Sequence, residues 1–540
     1  MAGFMTAVVS ASASTADPPQ QTISLPTGFG VPTGVIITAC LATADATAVD
    51  DAVLCTGGSD GTNQWVYGVA AEHGVGTTNT IAYGNSGYVI MTVDAGTQAI
   101  DGYAALGGFE TDKVKIVWNS YPATAIKLVV WACTGTTKVI AGTDTNTQIS
   151  GNTQATTLTG MGTATAIVMA SAIQAGLSGS PSGGNPAQHS VGFVAYDGST
   201  ITQVGLGLYM EDGNASGKNT QHLSTTKVME PPDDGTAGGA AGLKVTAIGS
   251  ASFTTEKLNN NENLVFGYLA LETTGEAYAD TWDVATGTPT YTDEYSLPSG
   301  PDDFQPHSGL LLLAGLNTTE VDADQTGVRA GTFGLAFFDA DASSGQMVSI
   351  QNQRNAATTN TQSYYSSKIL DIQNHTGAST LIEGDLSSVN DDGFVGSITD
   401  SPANAKSYPV LLFGNLTLGP TDLDGADVIP SPTVNAVIAP DDLDGADKVP
   451  RPTLDVNITV SPTDLDGGVG LPGPTVSLNV RQPGFSPASE VSAGKSEAAG
   501  IAGGRVKKAE VAQGRSDSSM AGSTRIAKTQ VSSGHSAASH

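Results

Sequence analysis

Two acidic turns near the C-terminal end combine residue types and spacing that could bind a metal ion. DLDGAD occupies 422–427 and returns at 442–447. Hard cations such as Ca²⁺ take carboxylate oxygens, and these turns offer the side chains of Asp422, Asp424, Asp427, Asp442, Asp444 and Asp447. The loop is short, lacks the bidentate Glu of an EF-hand, and loses its last Asp in the third copy, DLDGGV at 464–469. An Asx-type turn with a solvated acidic face is the alternative to calcium, and no other cofactor is expected.

Two adjacent aromatic residues could bind a ligand of a different kind. Tyr364 and Tyr365 follow a long polar stretch, and loops carry binding residues more often than strands do. We therefore expect these rings to be exposed and able to stack on a glycan. Most other aromatic residues on the apolar segments, such as Trp65 and Phe193, are predicted to belong to the core.

Motifs for catalysis are missing from the sequence. None of the seven histidines belongs to HExxH, and no P-loop occurs. A pair of carboxylates for glycoside hydrolysis stays open among 52 acidic residues, but no aromatic-rich cleft accompanies it. We predict that the protein is not an enzyme. Three cysteines fit neither a disulfide framework nor a zinc motif and are predicted to be small buried residues.

Composition favours strands as the elements that position these residues. Charged residues are 14%, 66 residues are glycine, and long stretches alternate β-branched or aromatic residues with Thr, Ser and Gly. The formal net charge of −30 would repel phosphate backbones and anionic lipids, so we expect neither nucleic acid nor membrane as a partner. No run of eighteen apolar residues occurs that could span a bilayer.

Four short patterns recur in the same order three times. They are an apolar strand, a segment with a central glycine and an acidic end, an Asn-Thr pair with a strand, and two closing strands. The first three read VIITACLA, VYGVAAE and NTIAYG at 35–84, AIVMASAI, VGFVAYD and NTQHLS at 166–224, and LLLLAGL, FGLAFFD and NTQSYY at 310–365. This spacing of short strands predicts an all-β chain of three tandem antiparallel β-sandwich, jelly-roll-like modules. The distance from the second to the third pattern varies most, which we interpret as loop variation.

Beyond Gly414 two shorter repeats follow. Units beginning at Pro420, Pro440 and Pro462 each join an acidic turn to Pro-Thr and an alternating strand, and from about 485 a Gly/Ala/Ser-rich repeat has a period near 20. One six-residue strand is not stable alone, so stacked units would bury their apolar faces on each other or on other chains. The predicted divisions are an N-terminal arm at 1–19, modules at 20–150, 151–280 and 281–415, a β stalk of DLDG/PTV repeats at 416–484, and the terminal repeats at 485–540.

LGPTDLDGADVIPSPTVNAV at 418–437, together with the Thr/Gly-rich modules before it, resembles the repeats of minor virion proteins of tailed bacteriophages. The resemblance covers most of residues 20–480. It implies a structural protein of fibre or decoration type on the outside of a head, neck or tail, located on the virion surface. Its implied partners are copies of itself, as a homotrimer or another homo-oligomer, and other virion proteins. A host-glycan adhesin and a secreted polysaccharide-acting enzyme are the alternatives.

Overall fold

The computed structural model describes most of the chain up to residue 416. The described residues are 4–10, 20–134, 138–147, 149–173, 186–232, 242–258, 264–273, 275–287, 290–297, 304–325, 331–340, 344–373, 380–390, 392–416, 458–460, 477–480 and 489–492. They form two compact units, residues 1–300 with 306–414, and residues 301–305 with 415–540. The protein is all-β, as predicted: the described residues form mainly antiparallel sheets and hold no α-helix, only a 3₁₀ turn at Thr318–Glu320.

Three large sheets make up the first unit, and the strands of each lie side by side in the order in which they are named. The first contains β1 (Phe4–Ser10), β11 (Lys127–Thr134), β3 (Pro32–Cys40), β5 (Ala52–Ser59), β6 (Gln64–Ala71) and β7 (Thr80–Asn85). The second contains β12 (Lys138–Asn146), β20 (Leu264–Glu272), β14 (Ala166–Ile173), β15 (Ala187–Tyr196), β16 (Ile201–Met210) and β17 (Asn219–Ser224). The third contains β21 (Glu276–Val284), β30 (Lys406–Leu416), β23 (Phe304–Ala314), β24 (Thr332–Asp339), β25 (Ser344–Asn352), β26 (Thr361–Ser366) and β4 (Val49–Asp50).

A smaller sheet accompanies each large one. The first holds β2 (Gln20–Ser24), β10 (Lys113–Ser120), β9 (Ala99–Glu110) and β8 (Ile90–Asp94). The second holds β13 (Thr153–Thr157), β19 (Ser252–Lys257) and β18 (Leu243–Gly249). The third holds β22 (Tyr291–Ser296), β29 (Gly393–Asp400), β28 (Thr380–Asn390) and β27 (Leu370–Gln373). We call each large sheet with its small sheet a module. The strand order of the large sheets is the same in all three modules, with β4 as an extra strand taken from the first. The small sheet of the second module has three strands, where the other two have four.

The two kinds of sheet differ in how their faces are buried. The sequence KVKIVWNS of β10 alternates between buried and more exposed positions, because only one face of a small sheet is covered. The sequence PTGVIITAC of β3 is buried almost throughout. One face of the first large sheet packs with its own small sheet around Ile37 and Ile116. The opposite face contributes to a core shared by all three large sheets, which includes Trp131, Leu206 and Phe337.

Several details differ from the sequence-based predictions. The recurring pattern aligns VYGVAAE with VGFVAYD and FGLAFFD, but VYGVAAE forms β6, whereas the other two form β15 and β24, whose counterpart is β5. The predicted loop variation is therefore wrong: the longer spacings contain the whole strands β16 and β25. Glycine-bearing apolar strands adjoin each other in every module, so the pattern alone could not select the right one.

The two strands that close each module also behave differently from a hairpin. β10 and β11 lie in different sheets, and the same is true of β19 and β20 and of β29 and β30. Each pair therefore connects the small sheet of a module with its large sheet. β12 pairs with β20, and β21 pairs with β30. The second and third large sheets therefore begin near Lys138 and Glu276, earlier in the chain than the predicted divisions at 151 and 281. The module divisions themselves stay a prediction.

The second unit contains a three-stranded sheet made of β31 (Ile458–Val460), β32 (Ser477–Val480) and β33 (Ser489–Ser492). β31 and β32 lie within successive copies of the predicted Pro-Thr repeat and pair in parallel, with Ile458 opposite Leu478. Parallel pairing of corresponding segments is the geometry of stacked repeats.

Candidate functional site

Three corresponding loops bring the modules together at one end of their large sheets. Loop one covers residues 72–79 between β6 and β7, loop two covers 211–218 between β16 and β17, and loop three covers 353–360 between β25 and β26. Each follows the same strand of its module and precedes the strand that begins near the recurring Asn-Thr pair. The loops therefore occupy equivalent positions in the three modules.

Each loop pairs with both of the others through main-chain hydrogen bonds. Every pair of loops exchanges two bonds. The six are Thr78 N to Asn214 O (2.7 Å), Gly213 N to Thr78 O (2.8 Å), Asn355 N to Gly217 O (2.7 Å), Gly217 N to Ala356 O (3.3 Å), Gly74 N to Thr359 O (2.8 Å) and Thr359 N to Val75 O (2.8 Å). Because the pairing runs from one to two, two to three and three to one, the loops form a closed ring around a pseudo-threefold axis. We call this arrangement the loop ring.

Buried side chains repeat the same cyclic order. The first residue of the strand after each loop donates a side-chain hydrogen bond to a backbone carbonyl of the next module. That carbonyl belongs to the last residue of the strand that precedes the loop of the next module. Thr80 Oγ1 donates to Met210 O (3.2 Å), and Thr361 Oγ1 donates to Ala71 O (3.0 Å). Asn219 Nδ2 donates to Asn352 O in the same way. All three donors are at most 2% exposed, so each satisfies a backbone group that water does not reach.

A third set of equivalent positions uses three different chemistries. These residues lie two positions beyond the strand end in each loop, at His73, Asp212 and Arg354. Thr80 N donates to Asp212 Oδ1 (2.8 Å), and Thr361 N lies 3.2 Å from His73 Nδ1. Arg354 Nη1 donates to Asn219 O. By type His73 and Asp212 suit acid–base chemistry, but in the loop ring each of the three side chains binds the backbone of a neighbouring module.

Carboxylates in the loops before β5 and β24 accept hydrogen bonds at the C-terminal ends of β26 and β17. Asp45 accepts from the backbone and the hydroxyl of Ser367, both at 2.8 Å. Asp322 accepts from Thr225 N (2.9 Å), Thr225 Oγ1 (2.6 Å) and Ser224 Oγ (3.0 Å). Partial burial of Asp322 acts to raise its pKa, but the hydrogen bonds from Thr225 and Ser224 and the nearby His222 outweigh it, so its pKa is lowered.

One equivalent position of the three modules carries a titratable residue in the shared core. It holds Leu54 in the first module, His189 in the second and Phe333 in the third. Each of these residues pairs with the residue two positions before the end of the next strand. His189 is fully buried, its Nδ1 lies 2.7 Å from Ser171 O, and its ring packs edge-on against Phe333 at 5.1 Å between centroids. Burial lowers the pKa of His189 to about 4, so the side chain is neutral in the folded protein at neutral pH.

The predicted glycan residues lie elsewhere than expected. Tyr364 is 2% exposed and Tyr365 is 5% exposed, so the expectation that their rings are open to solvent is wrong. Tyr364 donates to Asp371 Oδ2 (2.7 Å), and the ring of Tyr365 belongs to the shared core, with Lys127 Nζ 5.2 Å from its centroid. Strand β26 is covered by the first module, with Ser363 opposite Val49 of β4. Neither ring offers a free face to a sugar.

The predicted calcium residues Asp422, Asp424, Asp427, Asp442, Asp444 and Asp447 lie outside the described residues. Among the residues that are described, no group of three or more His, Cys, Asp or Glu side chains is arranged to hold a metal ion. The three cysteines are buried, as predicted, and burial raises the pKa of Cys40, Cys55 and Cys133 to about 12.

Comparisons with known proteins identify no relative: no family model matches the chain, and no curated protein matches it significantly. Within the part of the chain that the structure describes, no helix is long and apolar enough to cross a membrane.

The sequence contained one signal for the loop ring. The recurring Asn-Thr pair marks the starts of β7, β17 and β26, where the cyclic hydrogen bonds form. The structural equivalence is shifted by one residue in the second module, where Asn219 takes the place of Thr80 and Thr361. Nothing in the local pattern indicated that these strands bind the next module, because that contact joins residues about 130 to 290 positions apart.

Proposed function

We propose that the chain is a structural protein of the surface of a tailed-phage virion, of fibre or decoration type, whose three modules form a rigid mount for the repeats after residue 416. The observation that carries this proposal is the closed loop ring. Each module binds the other two, and each large sheet is buried on both faces. A body of this kind resists deformation, because no module can move without breaking contacts at two junctions.

The ring also bears on how the chain would assemble. The three modules occupy the positions that three subunits take in a cyclic trimer, but one chain supplies them all. In this proposal the modules need no further copies to close, and self-association depends on the repeats after residue 416. The glycan-binding alternative has lost the two residues on which it depended, since Tyr364 and Tyr365 are buried.

The decisive experiment for the proposal is quantitative mass spectrometry of purified virions from the phage that encodes this chain. We expect the protein at a fixed copy number per particle, retained through density-gradient purification. Recovery only from the soluble fraction of the lysate would refute the virion assignment. Release of sugar from host polysaccharide by the purified chain would support the enzyme alternative instead.

Light scattering on the full chain and on residues 1–416 tests the assembly part of the proposal. A monomeric 1–416 fragment with an oligomeric full chain is the expected result. An oligomeric 1–416 fragment would contradict it, because the loop ring leaves each module's contacts satisfied within one chain.

A further inference from the structure

A buried lysine contacts an asparagine side chain in the third module. Lys406, the first residue of β30, is 5% exposed. Its Nζ donates to Asn317 Oδ1 (2.8 Å) and to Gly315 O (2.7 Å). The two backbones are also joined, because Asn317 and Lys406 form an antiparallel bridge and Thr318 N donates to Ala405 O (3.1 Å). This main-chain pairing therefore holds the two side chains next to each other.

A carboxylate lies beside this pair. Glu320 ends the 3₁₀ turn that begins directly after Asn317, and its Oε2 accepts a hydrogen bond from Asn317 N (2.7 Å). The turn thus folds the Glu320 side chain back onto the residue whose amide contacts Lys406. Asn317 thus contacts both the Lys406 amine, through its side-chain carbonyl, and the Glu320 carboxylate, through its backbone N–H.

This geometry brings an amine close to the carbon of an amide. Since a C=O bond is about 1.2 Å long, the 2.8 Å contact to Oδ1 places Lys406 Nζ within about 4 Å of Asn317 Cγ. Groups that a fold holds next to each other react with effective molarities far above those of free solutes. The neutral form of the amine is the nucleophilic one.

We propose that Lys406 and Asn317 form an intramolecular amide bond. Glu320 takes a proton from the Lys406 ammonium group, and the neutral Nζ attacks Asn317 Cγ. The new Cγ–Nζ bond forms, the Cγ–Nδ2 bond breaks, and Nδ2 leaves as ammonia after receiving the proton from Glu320. Of the two hydrogens on the attacking amine, one remains on the new amide and the other passes as a proton to the departing ammonia, which leaves the site as ammonium. The step needs no oxidant, reductant or co-reactant, because the amide nitrogen is its own leaving group.

Such a bond would stabilise the third module where its last strand begins. It would close a covalent loop between residues 317 and 406, which restricts the unfolded chain in the way a disulfide does. β30 is the strand from which the chain continues into the predicted stalk repeats, so a pull on those repeats would reach this strand first. The inference stands apart from the virion assignment, because the bond depends only on contacts within the third module.

Intact-mass spectrometry of the full chain, followed by peptide mapping, tests the proposal without any variant. We expect a mass lower than that of the sequence by one ammonia, together with a branched peptide in which Asn317 is joined to Lys406. Trypsin should also fail to cleave after Lys406. A mass equal to that of the sequence, with linear peptides carrying unmodified Asn317 and Lys406, would overturn the proposal. Loss of ammonia mapped to any other residue would overturn it as well.

Variants then separate the roles of the three residues. N317A and K406M should each show the full mass of its own sequence, and K368M serves as the matched control because Lys368 pairs with Glu383 rather than with an amide. The control should keep the ammonia loss. E320Q should abolish or greatly slow the loss while the protein keeps its native circular dichroism spectrum. Normal bond formation in E320Q would overturn the assigned role of Glu320.

Discussion

The buried histidine of the shared core makes the stability of the body depend on pH. His189 lies where the first and third modules carry Leu54 and Phe333, and no polar atom of the described residues bonds its Nε2. Burial lowers the pKa of His189 from its ordinary value of 6.5 to about 4. Below pH 6.5 the unfolded chain takes up a proton that the folded chain refuses until about pH 4. Stability from this residue is therefore complete above pH 6.5 and is lost as the pH falls through this window.

The size of the effect follows from the same two values. At about 1.4 kcal/mol for each pH unit, the difference between 6.5 and about 4 corresponds to about 3 kcal/mol of unfolding free energy. His189→Leu removes the titrating group and places at this position the residue that the first module already has. Between pH 7 and pH 4 we expect the unfolding free energy of the variant to fall by about 3 kcal/mol less than that of the wild type. The carboxylates that also titrate are common to both proteins and do not contribute to this difference.

Chemical denaturation followed by tryptophan fluorescence is a suitable assay, because Trp65 and Trp131 lie in the shared core. Unfolding free energies of wild type and His189→Leu are measured at several pH values, and the difference between the two curves is plotted. A difference that does not change between pH 7 and pH 4 would refute the reasoning. It would mean that His189 takes up its proton equally well in the folded and unfolded states.

Three further predictions concern the loop ring and the cysteines. Thr361→Val removes the donor to Ala71 O and should lower the unfolding free energy by about 1–3 kcal/mol, whereas Thr358→Val, at an exposed position of the same loop, should change it by less than about 0.5 kcal/mol; equal effects would argue against the cyclic bond. Gly331→Ala should destabilise by at least about 2 kcal/mol, because its Cβ would clash with Asn352 O, while Gly76→Ala meets no atom within 4 Å and should be tolerated. Cys40, Cys55 and Cys133, with pKa values near 12, should resist alkylation at pH 8 in the native state and react in denaturant; labelling of the native protein would contradict their burial.

Local sequence patterns predicted where the strands lie in the sequence better than they predicted which strands lie side by side in a sheet. Alternation in KVKIVWNS and the continuous apolar run in VIITACLA identified a half-buried and a fully buried strand. They could not say that β10 and β11 belong to different sheets, because either arrangement buries the same side chains. The prediction that Tyr364 lies at the surface failed for a related reason. Its strand follows a loop and lies near the edge of its own sheet. The ring is nevertheless buried: its hydroxyl donates to Asp371 of β27, and β26 pairs with β4 of the first module.

The candidate site was predictable only in part, because its meaning depends on order around a ring. The Asn-Thr recurrence located the strands that bind the next module, yet a strand beginning with Asn-Thr is polar and would be read as a hairpin end. The three strands differ in which module they bind. The acceptor in each case is a backbone carbonyl at a strand end, and any sequence would provide one. Side-chain identity therefore carries little of this information.

The differences among the three junctions bear on why one chain, rather than three, forms this body. An identical subunit in a homotrimer must use the same residue at every junction. In this chain Asp212 accepts a hydrogen bond from a backbone N–H group, and Arg354 donates one to a backbone carbonyl. His73 Nδ1 lies next to the backbone N–H group of Thr361, the first residue of β26. Each junction is thus suited to its own pair of modules. Covalent linkage also keeps the modules at a high effective concentration, so dilution does not open the ring. Edge strands β7 and β26, which would invite pairing with other chains, are covered from within. The body can therefore remain closed when a single copy is present.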